Sequence, residues 1–330
     1  MPHMKLVTAV FLGLLLCLAV EVQAQESYSP AEIKQFIAKA NRGDKSAQLC
    51  LGGCYANGRG VTKDDAEAVK WYRKAAEQNS AAAQYCLGVC YAYGRGVPKD
   101  EAEAAKWYRK AAEQRISLAQ CKLGDCYANG TGVPKDDAEA YKWYLAAAER
   151  DWSTAQCKLG DCYANGKGVT KDEFEAVKWY RTAAKKHHLP ALNRLGDCYR
   201  LGIGVMKDVD EAVRWYRRAA EQNCGPAQFS LGLCCANGIG VTKDVDEAAK
   251  WYRRAAEKGD DSGQNSLGIC YANGTGVTKD YVEAYKWLDL AAAQGNEKAK
   301  TTRDDLEKKM SPDQIAQGRK LSGEFKPAQQ

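Results

Sequence analysis

One pattern of apolar and polar positions runs through most of this chain. In its first copy, Ala47, Leu51, Cys54 and Tyr55 fall at i, i+4, i+7 and i+8. That is a single apolar stripe, and it predicts a helix over roughly residues 46–56. Further on, Ala68, Trp71, Tyr72, Ala75 and Ala76 make a second stripe, with Lys70, Arg73 and Lys74 turned to water. The pair, helix A then helix B, recurs with Leu-Gly at Leu51, Leu87, Leu123, Leu159, Leu195, Leu231 and Leu267, each 36 residues after the last. Trp71, Trp107, Trp143, Trp179, Trp215, Trp251 and Trp287 keep the same interval. A period held without insertion means one supersecondary unit stacked seven times. Such a stack offers an extended surface rather than an enclosed pocket. The alanines let neighbouring helices approach, and the tryptophan is expected to fill the space between layers.

The residues joining the helices follow the same rhythm. Gly58 is placed to end helix A in the left-handed conformation that a Cβ would penalise. Asn57-Gly58-Arg59-Gly60-Val61 is then the interhelical loop, and both glycines recur in all seven copies. The G-x-G spacing is not a phosphate cradle, which needs a preceding strand and a helix that starts at once. Asp64 and Glu67 open helix B as a capping box, with the glutamate reaching back to the cap amide. The pair stands again at Asp100/Glu103, Asp136/Glu139, Asp172/Glu175, Asp208/Glu211, Asp244/Glu247 and Asp280/Glu283. Carboxylates this regular are read as caps, because chemistry needs one or two of them whereas every helix needs an end.

The ends depart from the period. Residues 1–24 carry one lysine, an apolar run from Leu6 to Val20, and Val22 and Ala24 at a small-residue cleavage site. They read as a secretory signal peptide, too short to span a bilayer, and an exported, periplasmic or secreted product is expected. Ser29-Pro30-Ala31-Glu32 is a capping box with proline at the first helical position, so residues 25–43 are assigned to an N-terminal capping helix. The repeats occupy 44–295. Residues 296–330 supply a degenerate polar helix, a last helix from Ser311-Pro312 carrying Ile315, Leu321 and Phe325, and a frayed tail. The net charge of +6, spread among 42 acidic residues, is a solvated surface and not a nucleic-acid footprint. The alanine-rich, charge-rich composition fits an all-α protein.

Fourteen cysteines raise the question of a disulfide framework, and export would permit one. Cys54, Cys90, Cys126, Cys162, Cys198, Cys234 and Cys270 occupy one position of helix A. Equivalent residues of packed helices lie roughly 8–10 Å apart, beyond the roughly 7 Å Cα separation a disulfide spans. The column is therefore read as small packing residues. Cys50 and Cys86 stand four residues before their column partners, where a strained bridge is open to them. Cys121 and Cys157 stand five before and are expected toward the exposed face. Cys224 sits in a turn, and Cys235 replaces a tyrosine found in the other copies. No C-x-x-C occurs, and no metal or other cofactor is expected.

The string Ala83-Gln84, Leu87-Gly88, Tyr91, Gly94-Arg95-Gly96-Val97, Lys99-Asp100 and Lys106-Trp107-Tyr108 resembles the Sel1-like repeat, a relative of the tetratricopeptide repeat. The resemblance covers about residues 44–295. It implies an α/α solenoid, a right-handed superhelix of helix pairs with helix A on the concave side, acting as an interaction scaffold. A cysteine-rich subgroup of such proteins clamps each helix pair with a disulfide between cysteines about eight apart, and some bind or slowly hydrolyse β-lactams. No cysteine pair here has that spacing.

Candidate chemistry is sparse. His187 and His188 are adjacent in a turn between copies four and five and have no ligand partner at metal-site spacing. No nucleophile elbow, zinc-protease motif or S-x-x-K is present, so no catalytic residues are assigned. Helix A instead carries Lys122/Asp125, Lys158/Asp161 and Arg194/Asp197 in copies three to five, each spaced for an i,i+3 ion pair. The same positions hold Cys50/Gly53, Cys86/Val89, Ser230/Leu233 and Ser266/Ile269 in the outer copies. These six charged residues are the candidate contacts for a protein or peptide partner, although exposed pairs could equally do no more than solubilise the helix. The expectation is a non-enzymatic adaptor, with neither nucleic-acid binding nor membrane insertion. A cell-wall-related β-lactam-binding enzyme and a secreted effector acting in a host cell stand as alternatives.

Overall fold

The computed structural model describes residues 28–328, so the expected signal peptide lies outside the described residues. The chain divides into two compact units that meet at Lys171/Asp172, inside the interhelical loop of copy four. The first holds α1 (Pro30–Asn41), α2 (Lys45–Asn57), α3 (Asp65–Glu77), α4 (Ala81–Tyr93), α5 (Glu101–Glu113), α6 (Ser117–Asn129), α7 (Asp137–Ala148) and α8 (Ser153–Asn165). The second holds α9 (Glu173–Ala184), α10 (Leu189–Leu201), α11 (Val209–Ala220), α12 (Gly225–Asn237), α13 (Val245–Glu257), α14 (Asp261–Asn273), α15 (Tyr281–Ala293), α16 (Glu297–Glu307) and α17 (Pro312–Glu324). There are no strands among the described residues. Within each unit helices pack on the next in chain order, which is the contact pattern of an α-solenoid, except that the last helix, α17, packs back onto α15.

The loop glycines have two different tasks. Gly58 ends α2 at φ 67°, with its amide donating to the Cys54 carbonyl, as the sequence predicts. The second glycine is a point of close approach between copies. A Cβ on Gly96 would fall on the carbonyl oxygen of Asp65, at the start of the preceding helix B.

The capping box expected on helix B forms only in part. Asp100 Oδ1 accepts from the Glu103 amide at 2.9 Å, and all seven cap aspartates accept from the matching glutamate amide. The glutamate side chain does not complete the box, because the cap amide already has a partner across the loop. Asp100 N donates to the Tyr91 carbonyl of helix A at 3.0 Å, and Asp64, Asp136, Asp208, Asp244 and Asp280 make the same bond. The glutamate turns outward instead, accepting from a base three residues on, as Glu103 does from Lys106. The reciprocal box predicted at Ser29/Glu32 does form, and a second one caps the last helix at Ser311/Gln314.

The tryptophans are not the deepest residues of the repeat. Trp107, Trp143, Trp179, Trp215 and Trp251 are half-buried, whereas the tyrosine that follows each of them is buried. The reason lies in the Leu-Gly pair. The Tyr72 ring lies on Gly52, where an added Cβ would stand 2.6 Å from its Cδ1. Gly88 faces Tyr108, Gly124 faces Tyr144, Gly196 faces Tyr216 and Gly232 faces Tyr252 in the same way. In copy seven Leu288 takes the place of the tyrosine, above Gly268. The Leu51 equivalents on the same helices are fully buried.

The glutamine of the Ala-Gln pair is buried too. Gln84 Nε2 donates to the Ala76 carbonyl, joining the start of helix A to the end of the preceding helix B, and Gln48, Gln120, Gln156, Gln228 and Gln264 repeat the bond. It adds a second donor to a helix-end carbonyl that also accepts from the turn amide three residues on, as Ala76 does from Asn79 N at 3.0 Å. Copy five carries the fully buried Leu192 instead.

The column cysteines Cys54, Cys90, Cys126, Cys162, Cys198, Cys234 and Cys270 are all buried free thiols, as the spacing argument requires. Cys50 is also free. Cys121 and Cys157 are buried at 3 % and 4 % exposure rather than turned to solvent. A helix inside a stack is flanked on both sides, so its exposed arc is narrower than that of a single packed helix. At the C-terminus, α17 presents Gly318 and Ser322 inward rather than Leu321, with Gly318 against the Tyr285 ring. Residues 325–328 are not frayed: Phe325 packs on Trp287, and the Ala328 amide donates to the Glu257 carbonyl at 2.9 Å.

Candidate functional site

The candidate charges of the first unit converge on Asp125. Helix α6 carries the adjacent Cys121 and Lys122 with Asp125 one turn on, α7 brings Tyr144, and α8 brings Lys158. Asp125 Oδ1 accepts from the Tyr144 hydroxyl at 2.9 Å and from Lys158 Nζ at 2.9 Å. Lys122 Nζ stands 3.9 Å from Oδ2, the expected i,i+3 pair at its outer limit. Lys158 also reaches across copies. Its ammonium pairs with the carboxylate of the preceding copy and lies 5.6 Å from the centre of the Tyr144 ring. Asp161, on the next turn of α8, acts on Lys158 electrostatically. The Tyr144 hydroxyl fixes Asp125, so Lys158 meets a carboxylate held in place.

Burial disfavours the Lys158 ammonium, but the Asp125 carboxylate and its hydrogen bond outweigh that penalty and raise the pKa. Burial first, then the Asp125 charge, pushes the Tyr144 hydroxyl far above its ordinary range. The Cys121 thiol beneath is pushed up to about 12, chiefly by burial and then by Asp125. It is therefore a protonated thiol near neutral pH and a poor nucleophile. The side chains of Lys122, Asp125 and Lys158 remain 39 %, 25 % and 35 % exposed, so the knot is open to solvent on one side.

In the second unit Asp197 occupies the same repeat position and accepts from the Tyr216 hydroxyl at 2.7 Å. Its i,i+3 partner here is Arg200 on the following turn, Nη2 to Oδ1 at 3.4 Å, while Arg200 Nε donates to the Tyr216 hydroxyl at 3.1 Å. Arg194 lies near enough to Cys198 to oppose the rise of its pKa, which burial and then Asp197 drive to about 11. Arg200 joins Asp197 and Tyr216 in a three-membered hydrogen-bonded set. Sequence reasoning passed over Arg200, Tyr144 and Tyr216. Arg200 carried a signal, since every other copy has alanine there, from Ala56 to Ala272. The tyrosines carried none, because they occur in six copies and bind a carboxylate only where an aspartate faces them.

His187 sits in its turn at φ 59°, with Nδ1 3.4 Å from Arg218 Nη2, and His188 is the cap residue of α10. Among the described residues, no group of three or more His, Cys, Asp or Glu is placed to hold a metal ion. No helix of the described residues is long and apolar enough to cross a membrane.

The Sel1 repeat pattern matches seven consecutive segments: 45–80, 81–115, 117–152, 153–188, 189–224, 225–260 and 261–296. This chain belongs to the Sel1 repeat family. No curated protein matches it. Among solved structures, a Sel1 repeat protein from Oxalobacter formigenes is 33 % identical, over 91 % of this chain and 86 % of its own, with a TM-score of 0.66. A protective antigen of uropathogenic Escherichia coli displaying an SLR fold is 30 % identical, over 98 % of this chain and 84 % of its own, with a TM-score of 0.46. The resemblance drawn from the repeat motif is confirmed, and so is the all-α solenoid. Sel1 repeats are generally protein-interaction folds and typically non-enzymatic.

Proposed function

We propose that this Sel1 repeat protein is an exported, non-enzymatic adaptor, and that it grips a protein or peptide partner through helix A. The carrying observation is where the repeat breaks. Positions that are neutral in the outer copies become charged in the copies carrying Lys122, Asp125, Lys158, Asp161, Arg194 and Asp197. Part-exposed charges with fixed neighbours suit recognition, because their geometry is set before the partner arrives. A polar or charged segment is the partner that such a surface selects.

Affinity capture from the native envelope fraction tests the reading. The bait is the mature chain, compared with Lys122→Glu/Lys158→Glu in the first unit and, separately, Arg194→Glu in the second. A partner held by the wild type and lost by either variant supports the assignment to that unit. Equal recovery by all three removes helix A from the binding surface. Export is tested by sequencing the N-terminus of the protein in periplasmic and culture fractions, where cleavage after Ala24 is expected.

A further inference from the structure

The tryptophan column is not uniform: three residues after the ring stands a base in four copies, and Ala146, Thr182 or Leu290 in the other three. In four copies the residue three places after the tryptophan is basic and stacks its cation on the ring. Lys74 lies 4.2 Å from the Trp71 centre, Lys110 4.1 Å from Trp107, Arg218 5.7 Å from Trp215 and Arg254 4.5 Å from Trp251. In copy seven that position is Leu290; the Trp287 ring still carries a cation, Lys286 Nζ at 4.4 Å from its centre, and Phe325 from the tail meets it edge to face at 5.2 Å. The ring is 3 % exposed there, deeper than in any other copy.

The tail that delivers Phe325 lies as an added peptide would. It leaves α17 in extended backbone, with Phe325 at φ −68° and ψ 132°. Three residues on, the Ala328 amide donates to the carbonyl of Glu257, the last residue of α13. Helix-end carbonyls lack partners of their own, so they accept from any extended segment that passes. Between these contacts Pro327 lies close over Gly259. The tail does not fill the groove: about 650 Å³ stays open beside it, walled by Arg253, Lys279, Trp287 and Phe325.

In the first unit the repeat-equivalent wall, Glu77 of one helix B and Trp107 of the next, borders an open cavity of about 610 Å³. There Lys110 stacks on the ring. The two cavities share only this glutamate–tryptophan wall, and in copy seven Leu290 and Phe325 give the ring apolar neighbours.

We propose that the groove over Trp287, between α13 and α15, is a docking site for an extended peptide bearing an aromatic side chain. The chain's own residues 325–328 occupy it in cis, and such a segment of a partner protein displaces them. The aromatic ring enters against Trp287, and a main-chain amide beyond it takes the Glu257 carbonyl. This surface is separate from the helix-A charges.

The probe is a labelled peptide of the chain's own residues 322–330, read by fluorescence anisotropy. The proteins are the full chain, a chain ending at Glu324, and that shortened chain carrying Leu290→Lys. The last variant restores what four other copies contain, so it is compatible with the fold. The shortened chain is expected to bind the peptide at least roughly tenfold more tightly than the full chain does, and to lose that gain when the peptide's phenylalanine is alanine, the usual scale for an aromatic anchor. Leu290→Lys is expected to weaken binding by a similar factor. No binding by the shortened chain would show that the tail is only a structural cap and would overturn the proposal. Equal binding with leucine and lysine at 290 would overturn it as well, because the peptide would then lie elsewhere. Concentration-dependent dimers of the full chain, abolished by the truncation, would overturn the cis arrangement in favour of tails exchanged between two copies.

Discussion

Gly124 and Tyr144 are in contact across the helix pair of copy three, and an added Cβ on the glycine would stand 2.6 Å from Cε1 of the ring. Helix propensity alone makes Gly→Ala stabilising by about 1 kcal/mol in a helix interior. The contact opposes that gain, because the ring is buried and its hydroxyl is tied to Asp125. Overpacking of this kind costs about 1–3 kcal/mol. Gly124→Ala is therefore expected to lower the urea midpoint, and a raised midpoint would show that propensity prevails over the contact.

Asp125 joins three helices through one carboxylate. Asp125→Asn keeps the shape but removes the charge from Tyr144 and Lys158, and is expected to cost about 1–3 kcal/mol, the range for hydrogen bonds to charged groups. Lys122→Ala is the matched control, since its ammonium is 3.9 Å away and well exposed. It should change stability by no more than about 0.5 kcal/mol. Equal effects from the two substitutions would reduce the knot to ordinary surface pairing.

The period of 36 residues made the helix pair, its boundaries and its number of copies legible before any coordinates. Apolar stripes report which face is buried in one helix. They do not report which of two adjacent aromatics goes deeper, because that depends on the gap opposite. Tyr144 is deeper than Trp143 because Gly124 lies across from it, and nothing in the stripe links residues 20 apart. The candidate charges were found by their departure from the repeat, but the partner across copies was missed. Spacing along one helix predicted Lys158 with Asp161, whereas the stack brings Asp125 within 2.9 Å. Repeat proteins put their informative contacts between copies, and local spacing is blind to those.

The buried thiols make a prediction about alkali. Burial pushes Cys54 and Cys90 up to about 12, and Cys126, Cys162, Cys198 and Cys234 up to about 11, from an ordinary 9.0. Between pH 9 and those values the unfolded chain has lost thiol protons that the folded chain retains. Stability is thus fully present below pH 9 and falls as pH rises through that window. Each thiol contributes a slope of about 1.4 kcal/mol per pH unit. Cys126→Ala together with Cys162→Ala should flatten the decline of the urea midpoint between pH 9 and 10.5, relative to its own value at pH 7. An unchanged slope would mean that the column is reached by hydroxide without unfolding.

The start of helix B separates two kinds of cap. In a reciprocal box both side chains hold an orphan amide, so losing either one is costly. At Asp100 only one does: its carboxylate holds the Glu103 amide at 2.9 Å, while its own amide is bound by the Tyr91 carbonyl at 3.0 Å. Glu103 is left to an exposed pair with Lys106, worth a few tenths of a kcal/mol. Asp100→Ala is therefore expected to cost about 1 kcal/mol, the usual loss of a helix cap. Glu103→Ala should cost less than half of that, and its small effect should fade in high salt whereas the Asp100 effect persists. Equal, salt-insensitive losses from the two variants would restore the reciprocal box. The asymmetry has a structural consequence for the stack. Because the Tyr91 carbonyl holds the cap amide, the interhelical loop is tied back to helix A at the residue where helix B begins, and each helix pair enters the solenoid with its angle already fixed.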